Sequence, residues 1–374
     1  MKLDKALLAS ITLASSTLFA APAMAADDKD AIWSAIKSLE EKVEMTADAM
    51  DSDSAGKHGH GTSSGKTTIG GYGEMHYNNL DSKKEVDFHR SVLFLGHEFS
   101  NKTRFFMEWD LEHAGTMELE QSFLEFDISD KTSVKTGVVL IPVGIINETH
   151  EPPTFYGVER NPVENKIIPT TWREGGVGIS GELAEGWSYD AYLTSGLETS
   201  SGDGYAVRDG RQHVIKAVAE DLAYTGRIKW VGMPGVEIAA TYQRQGDMTQ
   251  GADATAGAAS LIETHAVITR GATTLKALYA AWDLDGSGPE SNGSNEQNGW
   301  YIEPSYKVTP KFGIFARYNE WDNTAGSATD SKYKQTDVGA NYWPEENVVV
   351  KLDIMDQGGK GTDSGFNLGV GFQF

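Results

Sequence analysis

The chain ends on an unbroken alternation. Phe366, Leu368, Val370, Phe372 and Phe374 are large and apolar, and Asn367, Gly369, Gly371 and Gln373 between them are small or polar. Successive strand side chains point to opposite faces, so period two with one greasy and one wet face means a strand rather than a helix. The pattern recurs at Val348-Val350-Leu352-Ile354 against Val349-Lys351-Asp353-Met355, and at Phe312-Ile314-Ala316-Tyr318 against Gly313-Phe315-Arg317-Asn319. It recurs again at Phe105-Met107-Trp109-Leu111 against Arg104-Phe106-Glu108-Asp110-Glu112.

The connections add a second regularity. Short turns are predicted near 101–102, 130–131, 184–186, 233–235, 271–272, 309–310 and 344–346, with longer links between them at 144–172, 198–221, 247–260, 285–298, 322–332 and 357–364. The link at 79–87 is intermediate, and the one at Ala114-Gly115-Thr116 is tight on the long side. Tight turns on one side and long loops on the other are what a transmembrane barrel produces. The predicted fold is all-β, an antiparallel transmembrane barrel of about 16 strands, spanning 67–374. Lipid offers the backbone no hydrogen-bond partners, so a sheet in a bilayer must close on itself. Trp187, Tyr189, Trp230, Trp300, Tyr342 and Trp343 near strand ends are predicted to sit at the membrane interfaces.

Upstream, Lys2 and Lys5, an apolar run from Ala6 to Ala21 and Ala23-Met24-Ala25 form a secretory signal with cleavage after Ala25. Residues 26–50 place Ile32, Ile36, Leu39, Val43 and Met50 on a short heptad seam. It reads either as a periplasmic coiled-coil stalk or as a lone amphipathic helix at the barrel mouth. Residues 51–66 form a Gly/Ser/His linker. Its His58 and His60 lack further ligands at fixed spacing, so no metal is predicted. Its Gly61-Thr62-Ser63-Ser64-Gly65 lacks the strand and helix that a nucleophile elbow needs.

The net charge of −22 excludes nucleic acid as a partner. The absence of Cys excludes a disulfide framework. The mean hydropathy of −0.38 is compatible with a barrel, since only alternate strand residues meet lipid.

The stretch Pro142–Pro162 (PVGIINETHEPPTFYGVERNP), together with Arg90–Phe99 and Glu118–Phe126, resembles the phosphate-selective porin O/P family. That resemblance implies a sixteen-stranded outer-membrane barrel, a homotrimer, and an external loop folded into the lumen. By strand parity the loop falls on about 144–172. Its candidate pore-constriction residues are Glu148, Glu151, Glu159, Arg160, Glu164 and Lys166. Lumen-lining charges are expected at Arg104, Glu108, Asp110, Glu112, Lys135, Arg227, Lys229, Arg317, Lys351 and Asp353. Phosphate-selective members are expected to line the pore with Arg and Lys. The mixed signs here favour a general or weakly cation-preferring pore for small hydrophilic solutes and ions over an anion channel. Phe374 resembles the terminal aromatic by which the outer-membrane assembly machinery takes up its barrels. No cofactor and no catalytic residue are predicted. His89, His97, His113, His150, His213 and His265 stand in no catalytic context, which weighs against a barrel enzyme. A structural anchor of the outer membrane is the remaining alternative.

Overall fold

A computed structural model describes residues 66–374; the predicted signal, helical segment and most of the linker, at 1–65, lie outside the described residues. The strands are β1 (Thr67–Leu80), β2 (Lys84–Ser100), β3 (Thr103–Glu112), β4 (Thr116–Ser129), β5 (Thr132–Leu140), β6 (Arg173–Ala184), β7 (Trp187–Thr194) and β8 (Ala223–Met233). They continue as β9 (Val236–Gln245), β10 (Ala259–Arg270), β11 (Thr273–Leu284), β12 (Glu296–Thr309), β13 (Phe312–Asp322), β14 (Tyr333–Glu345), β15 (Val348–Gly359) and β16 (Asp363–Gln373). Each strand pairs antiparallel with its sequence neighbours, and β1 pairs with β16 to close a sixteen-strand barrel. Phe374 completes the seam: its N–H donates to the Gly71 carbonyl at 2.8 Å, and its carbonyl accepts from the Gly71 N–H at 3.0 Å.

The alternation read from the sequence decides which way side chains point. Val350, Leu352, Ile354, Leu368 and Val370 are exposed on the outer face, while Lys351, Asp353, Asn367 and Gly369 are buried inward. Trp187 and Trp230 pair on the outside at a ring separation of 6.3 Å, close to the short turns. Trp343 departs from the expected interfacial belt. Strand alternation, with Asn341 inward and Tyr342 outward, points it into the lumen, where Tyr156 meets its ring edge-on at 5.7 Å.

Two further irregularities matter for the interior. Between Glu74/Arg90 and His76/Asp87, β2 carries one residue more than β1, so Asp87, His89 and Arg90 all reach inward. On β4 the pairing with β3 skips Glu120, so Glu120 and Gln121 both face the lumen. A bulge re-aims side chains in this way.

The long links are confined to part of the rim. Residues 141–172, 195–222, 246–258, 285–295 and 323–332 join β5 through β14, whereas 81–83, 113–115 and 360–362 are tight. The loop expected at 357–364 is therefore a hairpin, because β15 and β16 extend further than their apolar runs indicate.

Candidate functional site

Residues 141–172, which include the short helix α1 (Pro162–Lys166), turn into the barrel and meet wall residues around most of its circumference. The Lys351 ammonium donates to the Gly157 carbonyl at 2.9 Å, and the Val158 N–H donates to Asp353 at 2.6 Å. Asn341 donates to the Phe155 carbonyl at 3.1 Å, and Arg317 to the Tyr156 carbonyl at 3.3 Å. Further round the barrel in the two directions, Arg90 on β2 donates to the His150 carbonyl at 2.6 Å, and Trp282 on β11 donates to the Ile167 carbonyl at 2.9 Å. The wall makes room where the loop is closest: a Cβ at Gly371 would collide with Pro152, and one at Gly313 with the Tyr156 hydroxyl.

On the β9–β13 side the loop is held by an apolar core inside the barrel. Ile141, Val143, Val163, Ile167, Ile168 and Trp172 pack against Leu261, Leu278, Ala280, Trp282, Tyr301 and Trp321 of the wall, joined by Leu197, Tyr205 and Val207 from 195–222. Glu164 belongs to this core. Its carboxylate accepts from the Ile145 and Ile146 N–H groups at 2.9 and 2.6 Å, and from the Tyr301 hydroxyl at 2.7 Å. Burial raises its pKa above the ordinary carboxylate value, against those hydrogen bonds. The sequence placed Glu164 on the pore; its geometry is that of a staple within the loop.

On the β1–β4 side the contacts are polar. The Tyr72 hydroxyl lies 2.8 Å from Glu108, 3.1 Å from Glu120 and 2.8 Å from His150 Nε2, joining two wall carboxylates to the loop. His76 and Asn78 approach Glu159 at 3.3 and 2.9 Å. Burial alone would raise the Glu159 pKa, but the hydrogen bond and charge of His76 hold it down at about 2, so it stays ionised.

The other expected pore charges divide into two groups. Arg317, Lys351, Asp353, Glu108 and Asp110 are buried; all but Asp110 are engaged in pairs or in gripping the loop. Arg104, Lys135, Lys229 and Glu112 are only partly buried. Arg104, Arg227 and Arg317 do not gather into an anion ladder. Each is neutralised by two carboxylates: Glu125 and Asp127, Asp190 and Glu148, and Glu303 and Asp337 respectively. Glu148 thus ties the loop to β8, Glu151 borders the turn at Pro152–Thr154, and Lys166 is exposed at the end of α1.

Among the described residues, cavities open in the lumen on both sides of the loop. The inner one, about 540 Å³, opens among the short turns and is lined by Lys102, Asp127, Lys131, Asp190, Arg227 and Lys229, among others. The outer one, about 170 Å³, has Glu74, His76, His89, Arg90 and Glu118 on the wall, and Glu159, Arg160, Arg173, Arg208, Arg211 and His213 opposite. Arg173 is paired with Glu118.

Arg160, Arg208 and Arg211 differ from Arg104, Arg227 and Arg317: among the described residues none of the three has a carboxylate within ion-pair distance. Arg160 donates to the Thr171 hydroxyl at 2.9 Å, and Arg208 to the Asn165 and Thr170 carbonyls at 2.8 and 2.9 Å. Arg211 donates to the Thr171 carbonyl at 3.1 Å. Burial lowers the pKa of all three, and neighbouring arginines add to this for Arg160 and Arg211. Burial, with Arg173 and Arg211 beside it, also lowers His213 to about 4, so it adds no charge at neutral pH. Half-buried guanidiniums held by carbonyls and hydroxyls keep a field that an incoming anion satisfies. Of these three the sequence singled out only Arg160. The available signal was the pairing of Arg208 and Arg211 in a long loop of an acidic chain.

A closed sixteen-strand barrel, greasy outside and carrying a charged, loop-lined lumen, is the architecture of an outer-membrane porin. Residues 70–365 match the family described as phosphate-selective porin O and P, and the chain belongs to that family. A protein of Aquifex aeolicus (strain VF5), described as uncharacterised, is 30% identical, over 77% of this chain and 75% of its own length. Among solved structures, the anion-selective porin from Comamonas acidovorans superimposes with a TM-score of 0.61 at 12% identity, over 83% of this chain and all (100%) of that one. The trimer form of OmpT from Vibrio cholerae gives 0.59 at 11% identity, with 83% and 100% covered. At these identities the likeness is one of fold. The protein is an outer-membrane channel.

Proposed function

We propose that this channel prefers small oxyanions, phosphate among them, and selects them at Arg160, Arg208 and Arg211. The observation that carries this is the contrast in pairing: the lumen-facing wall arginines Arg104, Arg227 and Arg317 are each neutralised, whereas these three face the outer cavity with only carbonyl and hydroxyl partners. The mixed charges of the sequence favour a weakly cation-preferring pore. That balance counts wall residues which are spent on one another or on the loop. A narrow passage lined by uncompensated charge favours the opposite ion. Planar-bilayer recordings across a KCl gradient test the reading. An anion-directed reversal potential and a chloride current blocked by added phosphate are expected; a strongly cation-directed reversal without phosphate block rejects it.

Several finer features belong to the same reading. The loop at 141–172, with Glu148, Glu151, Glu159, Arg160 and Lys166, narrows the passage. The lumen charges Arg104, Lys135, Lys229 and Glu112 set the field on either side of it. The chain is exported by a signal cleaved after Ala25, is taken up by the assembly machinery through Phe374, and forms a homotrimer in the outer membrane. The export pattern supports the first of these, the exposed terminal aromatic ring the second, and the fold shared with a trimeric porin the third. It carries out transport without catalysis.

A further inference from the structure

Asp87 and His89, two apart on β2, share the inward face, the bulge before Arg90 letting Arg90 point inward too, and the tight turn after β3 brings His113 onto them. His113 Nδ1 lies 3.0 and 2.8 Å from the two Asp87 oxygens, and His89 Nδ1 lies 3.1 Å from one of them. Two imidazoles therefore present the same ring nitrogen to one carboxylate. The turn is fixed by the His113 N–H, which donates to the His89 carbonyl at 3.0 Å. His113 and Ala114 both hold left-handed backbone angles, with φ of 50° and 51°. His76 stacks on His89 at 4.6 Å and fixes that ring from behind. Like the links at 81–83 and 360–362, this hairpin is tight on the long-loop side, and its tightness places His113.

We propose that Asp87, His89 and His113 form a binding site for a divalent transition metal at the rim of the outer cavity. Two imidazoles and a carboxylate suit a borderline ion such as Zn²⁺, Ni²⁺ or Cu²⁺ rather than Ca²⁺ or Mg²⁺, which take oxygen ligands. A tetrahedral Zn²⁺ with bonds of about 2.1 Å separates its ligands by about 3.4 Å, so each imidazole needs to move only a few tenths of an ångström from the Asp87 carboxylate, and the three ligand atoms lie within 4.8 Å of one another. His113 is more than half exposed and free to make that adjustment, and Asp87 and His89 are partly open to water. Each imidazole offers its Nδ1 lone pair with the ring proton on the other nitrogen, and water fills the remaining position. The other converging set, Glu108, Glu120 and His150, is wholly buried, and the Tyr72 hydroxyl already occupies its centre.

The site lies on the wall across the outer cavity from Arg160, Arg208 and Arg211, and His89 and His113 line that cavity. A bound dication there adds positive charge to the mouth. The binding test does not depend on ion preference. Full-length protein folded in detergent, with His58→Ala and His60→Ala removing the linker histidines, is dialysed to equilibrium against micromolar Zn²⁺. A single Zn²⁺ per chain is expected, lost in His113→Ala and in Asp87→Asn and kept in His265→Ala, a carboxylate-paired histidine on the other wall. Heat-modifiable gel mobility establishes that each variant has folded. No zinc bound by the parent, or undiminished binding in folded His113→Ala, overturns the proposal. Either result leaves the anion reading where the bilayer recordings put it.

Discussion

On β10–β13 the inward positions toward the long loops include Leu261, Leu278, Ala280, Trp282, Tyr301 and Trp321; on β1–β4 they include Tyr72, Glu74, His76, Arg90, Glu108 and Glu120. Both sets sit on strands with the same outward apolar pattern, so lipid sees one barrel. Inside, the first wall docks the loops by burying apolar surface, and the second holds them with hydrogen bonds and ion pairs. The second needs polar partners for every group it presents, and what it leaves open is the outer cavity. Loop length follows the same division: the apolar wall lies under the long links, and the polar wall under the tight ones. The passage is thus off-centre, bounded by an acidic wall on one side and by loop arginines on the other.

The largest effect is expected where the loops face that cavity. Replacing Arg160, Arg208 and Arg211 together by Ala should shift the anion-to-cation permeability ratio toward cations by about tenfold or more, corresponding to ~1.4 kcal/mol. Glu74, Glu112, Glu118 and Glu159 would then dominate the same space. The reversal potential in a KCl gradient reads this directly. An unchanged ratio would mean that the cavity between the walls does not set selectivity.

Next in size is the difference in how the walls grip the loop. Trp282 is almost wholly buried, packs near Trp172 and donates to the Ile167 carbonyl. Trp282→Ala should cost the docked loop about 3–5 kcal/mol. Tyr72→Phe on the polar wall removes one hydroxyl from among Glu108, Glu120 and His150 and should cost about 1–3 kcal/mol. Protease nicking within 141–172 and the rise in single-channel conductance rank the two variants. More loop release in Tyr72→Phe than in Trp282→Ala would invert the picture of an apolar anchor and a polar hinge side.

How much of this division can be read from the chain itself depends on which force wrote it. The barrel is legible because lipid imposes period two on every outward face, whatever lies inside. Strand parity, the lumen side of Arg104, Glu108, Lys351 and Asp353, and the loop at about 144–172 follow from that period. The apolar inner wall is not legible, since Leu278 or Trp282 facing inward breaks the polar-inside rule and looks in sequence like noise on a strand. Pairing is hidden for a different reason. Arg317 and Arg160 are the same residue type, and only the fold brings Glu303 and Asp337 to the first and leaves the second with Thr171. Bulges are hidden too: one extra residue at His89 or Glu120 re-aims a side chain without disturbing the pattern on the lipid face.

Arg104 gives the smallest expected effect and the finest test. It lies on β3, away from both the apolar wall and the outer cavity, about a third exposed, with Glu125 and Asp127 as its partners. Asp127 lines the wide inner cavity, where water and salt screen a charge over about 8 Å at physiological ionic strength. Arg104→Ala frees two carboxylates there and makes the lumen more negative, so the sign of the change is toward cations. Its size should be a few millivolts of reversal potential at most, with thermal stability nearly unchanged, because the charge is screened and the passage is not narrow. The shift should shrink further as salt is raised, whereas that of the triple arginine variant should persist, since the outer cavity admits little solvent. A shift in Arg104→Ala as large as that of the triple variant would move the selecting region to the inner cavity, and the contrast between the two walls would then govern how the loops are held but not which ions pass.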